Sequence, residues 1–157
     1  MQQVKKLSFR SSMKMMTVTF CGHSQVEDEV AVRAWLDEVI RQLCQQGIRK
    51  FLLGGYGSFD ALAAAAVHQA KARFPDISSL LVLPYLDMKP DLTLFDGSLY
   101  PPLENVPKRF AIARRNQWMV DAADIVVAYI LHTWGGAAKT YGYAVRKKKR
   151  IICFLDS

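Results

Sequence analysis

The sequence is poor in the features that define several protein classes. It has three cysteines, Cys21, Cys44 and Cys153, which are odd in number, far apart and without C-x-x-C spacing. That argues against a disulfide framework or a cysteine-based zinc site, and the thiols read as the reduced ones of a cytoplasmic protein. No stretch approaches the roughly 18 consecutive apolar residues of a membrane span, and the first residues lack the apolar core of a signal peptide. With only three histidines, no metal-ligand spacing and no Ser-His-Asp arrangement can be drawn, so neither a metal nor a certain cofactor is expected.

Acidic residues are also in short supply, giving a net charge of +7. The excess is local. Lys5, Lys6, Arg10 and Lys14 fall in the first sixteen residues, and Arg146-Lys147-Lys148-Lys149-Arg150 adds five more charges. Outside these tracts, twelve basic residues face fourteen acidic ones. The second tract follows an expected helix, where cations complement the dipole, so it reads as a solvated helix end rather than a nucleic-acid surface.

What is present suits a single domain: 157 residues, 51% of them hydrophobic, are enough for a sizeable core. Residues 1–16 show no sustained period and read as a flexible leader before a domain over 17–157. Thr17–Cys21 reads as a strand ending in Gly22-His23-Ser24, with Ser24 and Glu27 spaced as a capping box. Val32, Leu36, Val39, Ile40 and Leu43 then share one helical face, and Gly47 stops that helix. Lys50–Leu53 is a second strand, followed by an alanine-rich helix over Ala61–Phe74. Ser79–Leu83 is a third strand. The stretch Tyr85–Val106, with three prolines, four acidic residues and several aromatics, has no period and reads as an ordered loop or lid. A helix from Pro107 to about Ala122 precedes the strand Asp124–Ile130, then the helix Ala137–Val145 and a last strand, Ile151–Leu155.

Five continuous apolar strands alternating with helices predict an α/β fold, a Rossmann-like three-layer domain with a mostly parallel five-stranded sheet covered on both faces. Such sheets bind ligands beyond the carboxyl ends of the strands, where strand order switches. Three strand ends carry glycine: Gly22, the run Gly54-Gly55-Tyr56-Gly57, and Gly135-Gly136. The run at 54–57 matches neither G-x-G-x-x-G nor a Walker loop. It either lets backbone approach a ligand or makes a tight turn. Ser58 and Asp60 add polar groups there, and Asp60 suits a ribose hydroxyl or a helix cap.

Trp134-Gly135-Gly136-Ala137-Ala138-Lys139-Thr140 brings free N–H groups, a hydroxyl and an ammonium to a helix start, an anion site. Lysine is unfavourable at that end of the dipole, so Lys139 either faces an anionic partner or points to solvent. Arg115 and Asn116 lie on the preceding helix. Arg115 either neutralises a ligand or pairs with Asp121 or Asp124. Trp118 and Met119 read as core. His23 reads as a positioning or capping residue rather than a base, and His132 with Trp134 as walls of a slot for a base.

These residues resemble the SLOG superfamily, which joins the DNA-processing Smf/DprA proteins to the Lonely Guy phosphoribohydrolases. Within it the chain is most similar to the short bacterial YpsA-like proteins, over about residues 17–154. Lonely Guy enzymes carry an Arg-Lys pair, a methionine and an aspartate opening the next strand. Arg115, Met119 and Asp124 stand at that spacing here, with Asn116 in place of the lysine. Their Pro-Gly-Gly-x-Gly-Thr-x-x-Glu loop survives as the glycine pair and Thr140, but Gly142 occupies the glutamate position. Cleavage of an N-glycosidic bond passes through an oxocarbenium-like state that a carboxylate assists.

The resemblance therefore implies binding of a nucleotide or nucleotide-derived ligand of AMP, ADP-ribose or NAD type, in a sensing or signalling protein that works as a homo-oligomer, a dimer first. N-glycosidic hydrolysis or transfer is the alternative, and nucleic-acid binding the weaker one. The expected ligand set is Gly22, His23, Gly54, Gly55, Tyr56, Gly57, Ser58, Asp60, Arg115, Asn116, Trp134, Gly135, Gly136, Ala137, Lys139 and Thr140, closed over by residues 85–106. Arg115→Ala and Gly136→Val are both expected to abolish binding and spare the fold.

Overall fold

A computed structural model describes residues 16–154. The expected leader lies outside these residues except for Met16, which packs against the core. Leu155 of the last expected strand is outside them too.

The chain runs β1 (Thr17–Gly22), α1 (Glu29–Gln45), β2 (Lys50–Leu53), α2 (Ser58–Ala70), β3 (Ser78–Val82) and β4 (Gly97–Leu99). A 3-10 turn over Lys108–Phe110 leads into α3 (Ala111–Ala122), followed by β5 (Ile125–Tyr129), α4 (Gly136–Arg146) and β6 (Arg150–Cys153). The six strands form one sheet in the order β4-β3-β2-β1-β5-β6. Every pairing is parallel. This is a Rossmann-like α/β fold with a six-stranded parallel sheet and four helices.

Alternate residues of the strands feed two cores. Val18, Phe20, Phe51, Leu53, Ile125, Val127 and Tyr129 face α1 and α2, which supply Val32, Leu36, Ile40, Phe59, Ala63 and Val67. Cys21, Val126 and Ala128 face the other way, against Val120 of α3 and Ala144 of α4. Leu52 and Val82 meet Met119 on that side. Because both faces are covered, the strands read as unbroken apolar runs. The small alanines of α2 let it fit between α1 and the sheet.

Four expectations are corrected. The sheet has six strands, not five. The extra strand, β4, is three residues long, too short to show a period, and it pairs with β3 with Leu80 opposite Gly97 and Val82 opposite Leu99. The Asp96 carboxylate anchors it, accepting from Ser79 N–H at 2.7 Å and from Lys71 Nζ at 2.9 Å. Second, Ser24 and Glu27 form no capping box: Asp28 caps α1, its Oδ1 accepting from Ala31 N–H at 3.1 Å. The helix starts later than expected, leaving residues 23–28 as a loop at the end of β1. Third, α2 begins at Ser58, three residues before the alanines, and ends at Ala70. Fourth, Asp124 precedes its strand. Its carboxylate accepts from Thr17 N–H at 2.8 Å and fastens the starts of β1 and β5, at the opposite end from the rim formed by the carboxyl ends of the strands.

The basic tract does end a helix. Lys148 takes a left-handed φ of 58°. Its N–H donates to Val145 C=O and that of Lys149 to Ala144 C=O, a Schellman closure of α4. Gly47 closes α1 in the same way, with bonds to Cys44 and Leu43.

Candidate functional site

Strand order reverses between β1 and β5. The chain leaves β1 towards α1 on one face and leaves β5 towards α4 on the other, so the two exits part and open a cleft. The cleft holds about 470 Å³. The loop after β1 lines it with His23, Gln25 and Glu27, the end of β2 and the start of α2 with Tyr56 and Asp60, α3 with Arg115 and Asn116, and the end of β5 and the start of α4 with His132, Trp134, Gly135, Gly136 and Thr140.

The start of α4 leaves its backbone N–H groups uncapped. Gly135, its N-cap, has φ 93° and ψ 173°, a combination open essentially to glycine alone. No side chain caps this helix, so the N–H groups of its first turn, which have no intrahelical acceptor, are left for a ligand at the positive end of the dipole. A Cβ placed on Gly136 meets nothing within 4 Å, so the space in front of these N–H groups is open. Thr140 lies behind them, but its hydroxyl donates to Gly136 C=O at 3.0 Å. Its proton is thus spent on its own helix. Lys139 is exposed and does not line the cleft.

Arg115 enters from α3 and is only 2% exposed. Its Nη1 donates to Gly54 C=O at 2.9 Å and to Val82 C=O at 2.8 Å, and its Nε donates to Asn116 Oδ1 at 2.8 Å. It pairs with neither Asp121 nor Asp124. Burial lowers its pKa while Asp60 and Tyr85 raise it, and a guanidinium stays charged at neutral pH. Arg115 ties α3 to the ends of β2 and β3 and also presents one edge to the cleft.

Asp60, 8% exposed, accepts from Tyr56 N–H at 3.2 Å. Burial pushes its pKa up to about 6, against the opposing pull of the Tyr56 N–H and of Arg115. It is a carboxyl group that changes charge close to neutrality, in the wall of the cleft. The Cys21 thiol, also in the wall, is pushed up to about 12, first by burial and then by Asp60 and Cys153, which rules it out as a nucleophile at neutral pH.

At the mouth three rings stack in a column. His23 lies on His132 with centroids 3.7 Å apart and planes within 14°, and His132 lies on Trp134 at 3.8 Å and 18°. The His23 Nε2 accepts from Leu131 N–H at 2.9 Å, which puts the proton of the neutral ring on Nδ1. Burial, then the proximity of His132, lowers the His23 pKa. His23 thus links the exits of β1 and β5.

Of the expected set, Gly22, His23, Tyr56, Asp60, Arg115, Asn116, Trp134, Gly135, Gly136, Ala137 and Thr140 line the cleft. Gly54, Gly55, Gly57, Ser58 and Lys139 do not. The glycines of β2's exit serve packing. Gly57, at φ 90° and ψ 174°, repeats the conformation of Gly135, but a Cβ there would lie 2.7 Å from Ser24 Cα, and Ser58 N–H donates to Ser24 C=O at 2.8 Å. The close approach seen here is to the loop after β1. Likewise a Cβ on Gly22 would fall 2.3 Å from Cδ2 of Phe59. Residues 85–106 do not cover the cleft, since none of them lines it. Pairing of β4 with β3 holds them at the outer edge of the sheet, three strands from β1.

Gln25, Glu27, Ile112 and Leu131 line the cleft without having been expected there. The sequence signal for Gln25 and Glu27 was their place just after a strand that ends in glycine. Taken as a capping motif, that stretch was lost to a helix.

The fold and cleft place the chain among Rossmann-like α/β proteins with a ligand-sized opening at the strand-order switch. No family model matches the chain, and no curated protein matches it. Among solved structures, the chain is similar to DNA processing protein A from Helicobacter pylori, described for a single-stranded DNA binding mode. That match has 14% identity and a TM-score of 0.63, over 92% of this chain and 68% of the other. DNA processing protein A (DprA) from Streptococcus pneumoniae matches with 17% identity and a TM-score of 0.69, again over 92% of this chain but 52% of the other. This chain thus spans about half of the pneumococcal protein. The molybdenum cofactor carrier protein from Chlamydomonas reinhardtii matches with 15% identity and a TM-score of 0.55, over 88% of this chain and 76% of that one. At these identities the likeness is one of fold. Among the described residues no helix is long and apolar enough to cross a membrane, and no group of three or more His, Cys, Asp or Glu residues forms a metal cage.

Proposed function

We propose that the chain is a SLOG-type protein, akin to the YpsA-like group, that binds a nucleotide or nucleotide-derived ligand of AMP, ADP-ribose or NAD type and acts as a sensor or signalling protein. The observation that carries this reading is the start of α4: a glycine-only N-cap, no side-chain cap, open space over Gly136, and the buried charge of Arg115 across the same cleft. The ligand's phosphate sits on the N–H groups of Gly136 and Ala137, and its sugar side turns towards Asp60. Buried Cys21 and Cys44 suit a reducing, cytoplasmic setting. Exposed Phe110 and Ile112 support a homodimer.

A thermal-shift panel of AMP, ADP, ATP, GMP, ADP-ribose, NAD and ribose 5-phosphate tests this. A ligand at ~100-fold over its Kd adds ~2.7 kcal/mol of stability. Stabilisation that disappears in Gly136→Val supports the reading, whereas no shift with any compound, or one that survives Gly136→Val, overturns it.

Asp60 favours a second reading, an N-glycosidic hydrolase or transferase. Its carboxyl group lines the cleft and titrates at about 6, the range a general acid or base needs. Chromatography of the same mixtures decides: base released by the native chain and not by Asp60→Asn establishes the enzyme. The basic tract at Arg146–Arg150 lies at the end of α4 remote from the cleft, which counts against nucleic-acid binding through the same site.

A further inference from the structure

We infer that the column His23–His132–Trp134 is a rigid stacking platform for the nucleobase, with the outer face of Trp134 as the base-binding surface. This rests on the phosphate-site reading above and adds a determinant for the other end of the ligand.

The column is anchored at its inner end. His23 is 8% exposed, its Nε2 is held by Leu131 N–H, and the Tyr129 ring meets it edge-on with centroids 6.0 Å apart. Each ring in turn fixes the next, so Trp134 is supported over one face although it is 69% exposed. Its free face stands at the lip of the cleft, an aromatic surface large enough to take a second flat ring. Immobilising it beforehand lowers the entropy lost when a partner stacks on it.

The middle ring shows what the column is for. Nδ1 of His132 is buried and, among the described residues, is the one buried side-chain nitrogen or oxygen without a hydrogen-bond partner. The ring is engaged through its two faces instead, by His23 on one and Trp134 on the other. The histidine is here a flat spacer between a fixed ring and an exposed one.

Trp134 also directly precedes Gly135, the N-cap of α4. The stacking face and the anion-binding N–H groups are consecutive in the chain, so one ligand carrying both a flat heteroaromatic ring and a phosphate engages both. A base would become the fourth ring of the column. Stacking tolerates any base, because every base has a π face. The platform therefore selects for the presence of a base and leaves its identity to other groups.

Calorimetric titration with AMP and ribose 5-phosphate tests the inference in the native chain, Trp134→Ala and Trp134→Phe. AMP should bind the native chain at least ~10-fold more tightly than ribose 5-phosphate. Trp134→Ala should bring AMP down to the affinity of ribose 5-phosphate, and Trp134→Phe should recover most of the difference. Native fluorescence should be quenched by AMP, and the quenching lost in Trp134→Phe, which retains Trp35 and Trp118. Equal native affinities, or a preference for AMP that survives Trp134→Ala, would overturn the platform and leave the phosphate site standing. Binding of neither compound would overturn both.

Discussion

Asp60 and Arg115 close over the same atom, the Cα of Gly54. A Cβ there would lie 3.1 Å from Asp60 Oδ2 and 3.3 Å from Arg115 Nη2. They form no direct ion pair; the guanidinium is held by backbone carbonyls and the carboxyl group by a backbone N–H. Burial raises the carboxyl group to about 6, and the nearby guanidinium, pulling the other way, only partly offsets it.

The first prediction concerns the arginine. Arg115→Ala leaves the carbonyls of Gly54 and Val82 without their donor, and a buried polar group stripped of its partner costs ~1–3 kcal/mol. Urea denaturation should show a loss of at least ~2 kcal/mol in the variant. An unchanged midpoint would mean that these hydrogen bonds do not hold the sheet to α3.

A second prediction follows from Asp60. Its pKa in the fold, about 6, lies above the ordinary 3.8, so its contribution to stability is full below pH 3.8 and is lost as the pH rises through 6. Asp60→Asn, which stays neutral, should therefore be more stable than the native chain at pH 7.5, by up to ~3 kcal/mol. The advantage should fall to roughly 0.6 kcal/mol at pH 4 and vanish below about pH 3. An advantage that persists in acid would point to packing instead of charge.

His23 has the opposite sign. Its pKa is depressed below the ordinary 6.5, so the stability it contributes is present above pH 6.5 and is lost as the pH falls through its lowered value. Protonation must also break the bond from Leu131 N–H to Nε2. In 15N spectra His23 should be the Nδ1–H tautomer at pH 7.5 and should take up its proton below pH 6.5. A ring that is already doubly protonated at pH 7 would sink this assignment.

Two glycines at strand ends should respond differently. Gly22→Ala drives a methyl group into the Phe59 ring and should destabilise the fold by ~1–3 kcal/mol, the usual cost of overpacking. Gly136→Val enters open space and should cost well under that, while removing ligand-induced stabilisation. Equal losses of stability in the two variants would mean that the α4 start is as tightly packed as β1.

At Lys148, replacement by glycine should stabilise the chain by roughly 0.5–1 kcal/mol, because glycine adopts the left-handed conformation of a Schellman closure without strain. Thermal unfolding measures it, and a lower midpoint for Lys148→Gly would contradict the turn geometry.

These cases show where the sequence was legible. Apolar runs such as Ile125–Tyr129 and the spacing of Val32, Leu36, Ile40 and Leu43 encode buried strands and a helix face directly, since burial on both sides or on one leaves a period. Gly135-Gly136 was legible as a helix start because two glycines between a strand and a helix have few other uses. The glycines at 54–57 carry the same letters but meet the loop at Ser24, a neighbour distant in sequence that no local pattern reveals. Arg115 was found, but its role depends on two carbonyls, of Gly54 and Val82, that any residue types would supply. β4 was missed because three residues against an existing edge need no pattern of their own. The column of rings joins His23 to His132 across more than a hundred positions, and only the pairing of β1 with β5 brings them together.

That pairing divides the molecule. Residues before the 3-10 turn build β1 to β4 with α1 and α2, and those after it build β5, β6, α3 and α4. The halves join at one strand pair, β1 with β5, and through the cores on both faces of the sheet, with the Arg115 bonds and the stacked histidines at the carboxyl end. The cleft is thus the open end of a seam between two pieces of chain, with Asp60 and His23 on one lip and Trp134 to Ala137 on the other. Any occupant that touches both lips works as a rivet. Its effect should extend beyond the cleft, slowing amide exchange along β1 and β5 together, as though the two pieces had been sewn shut.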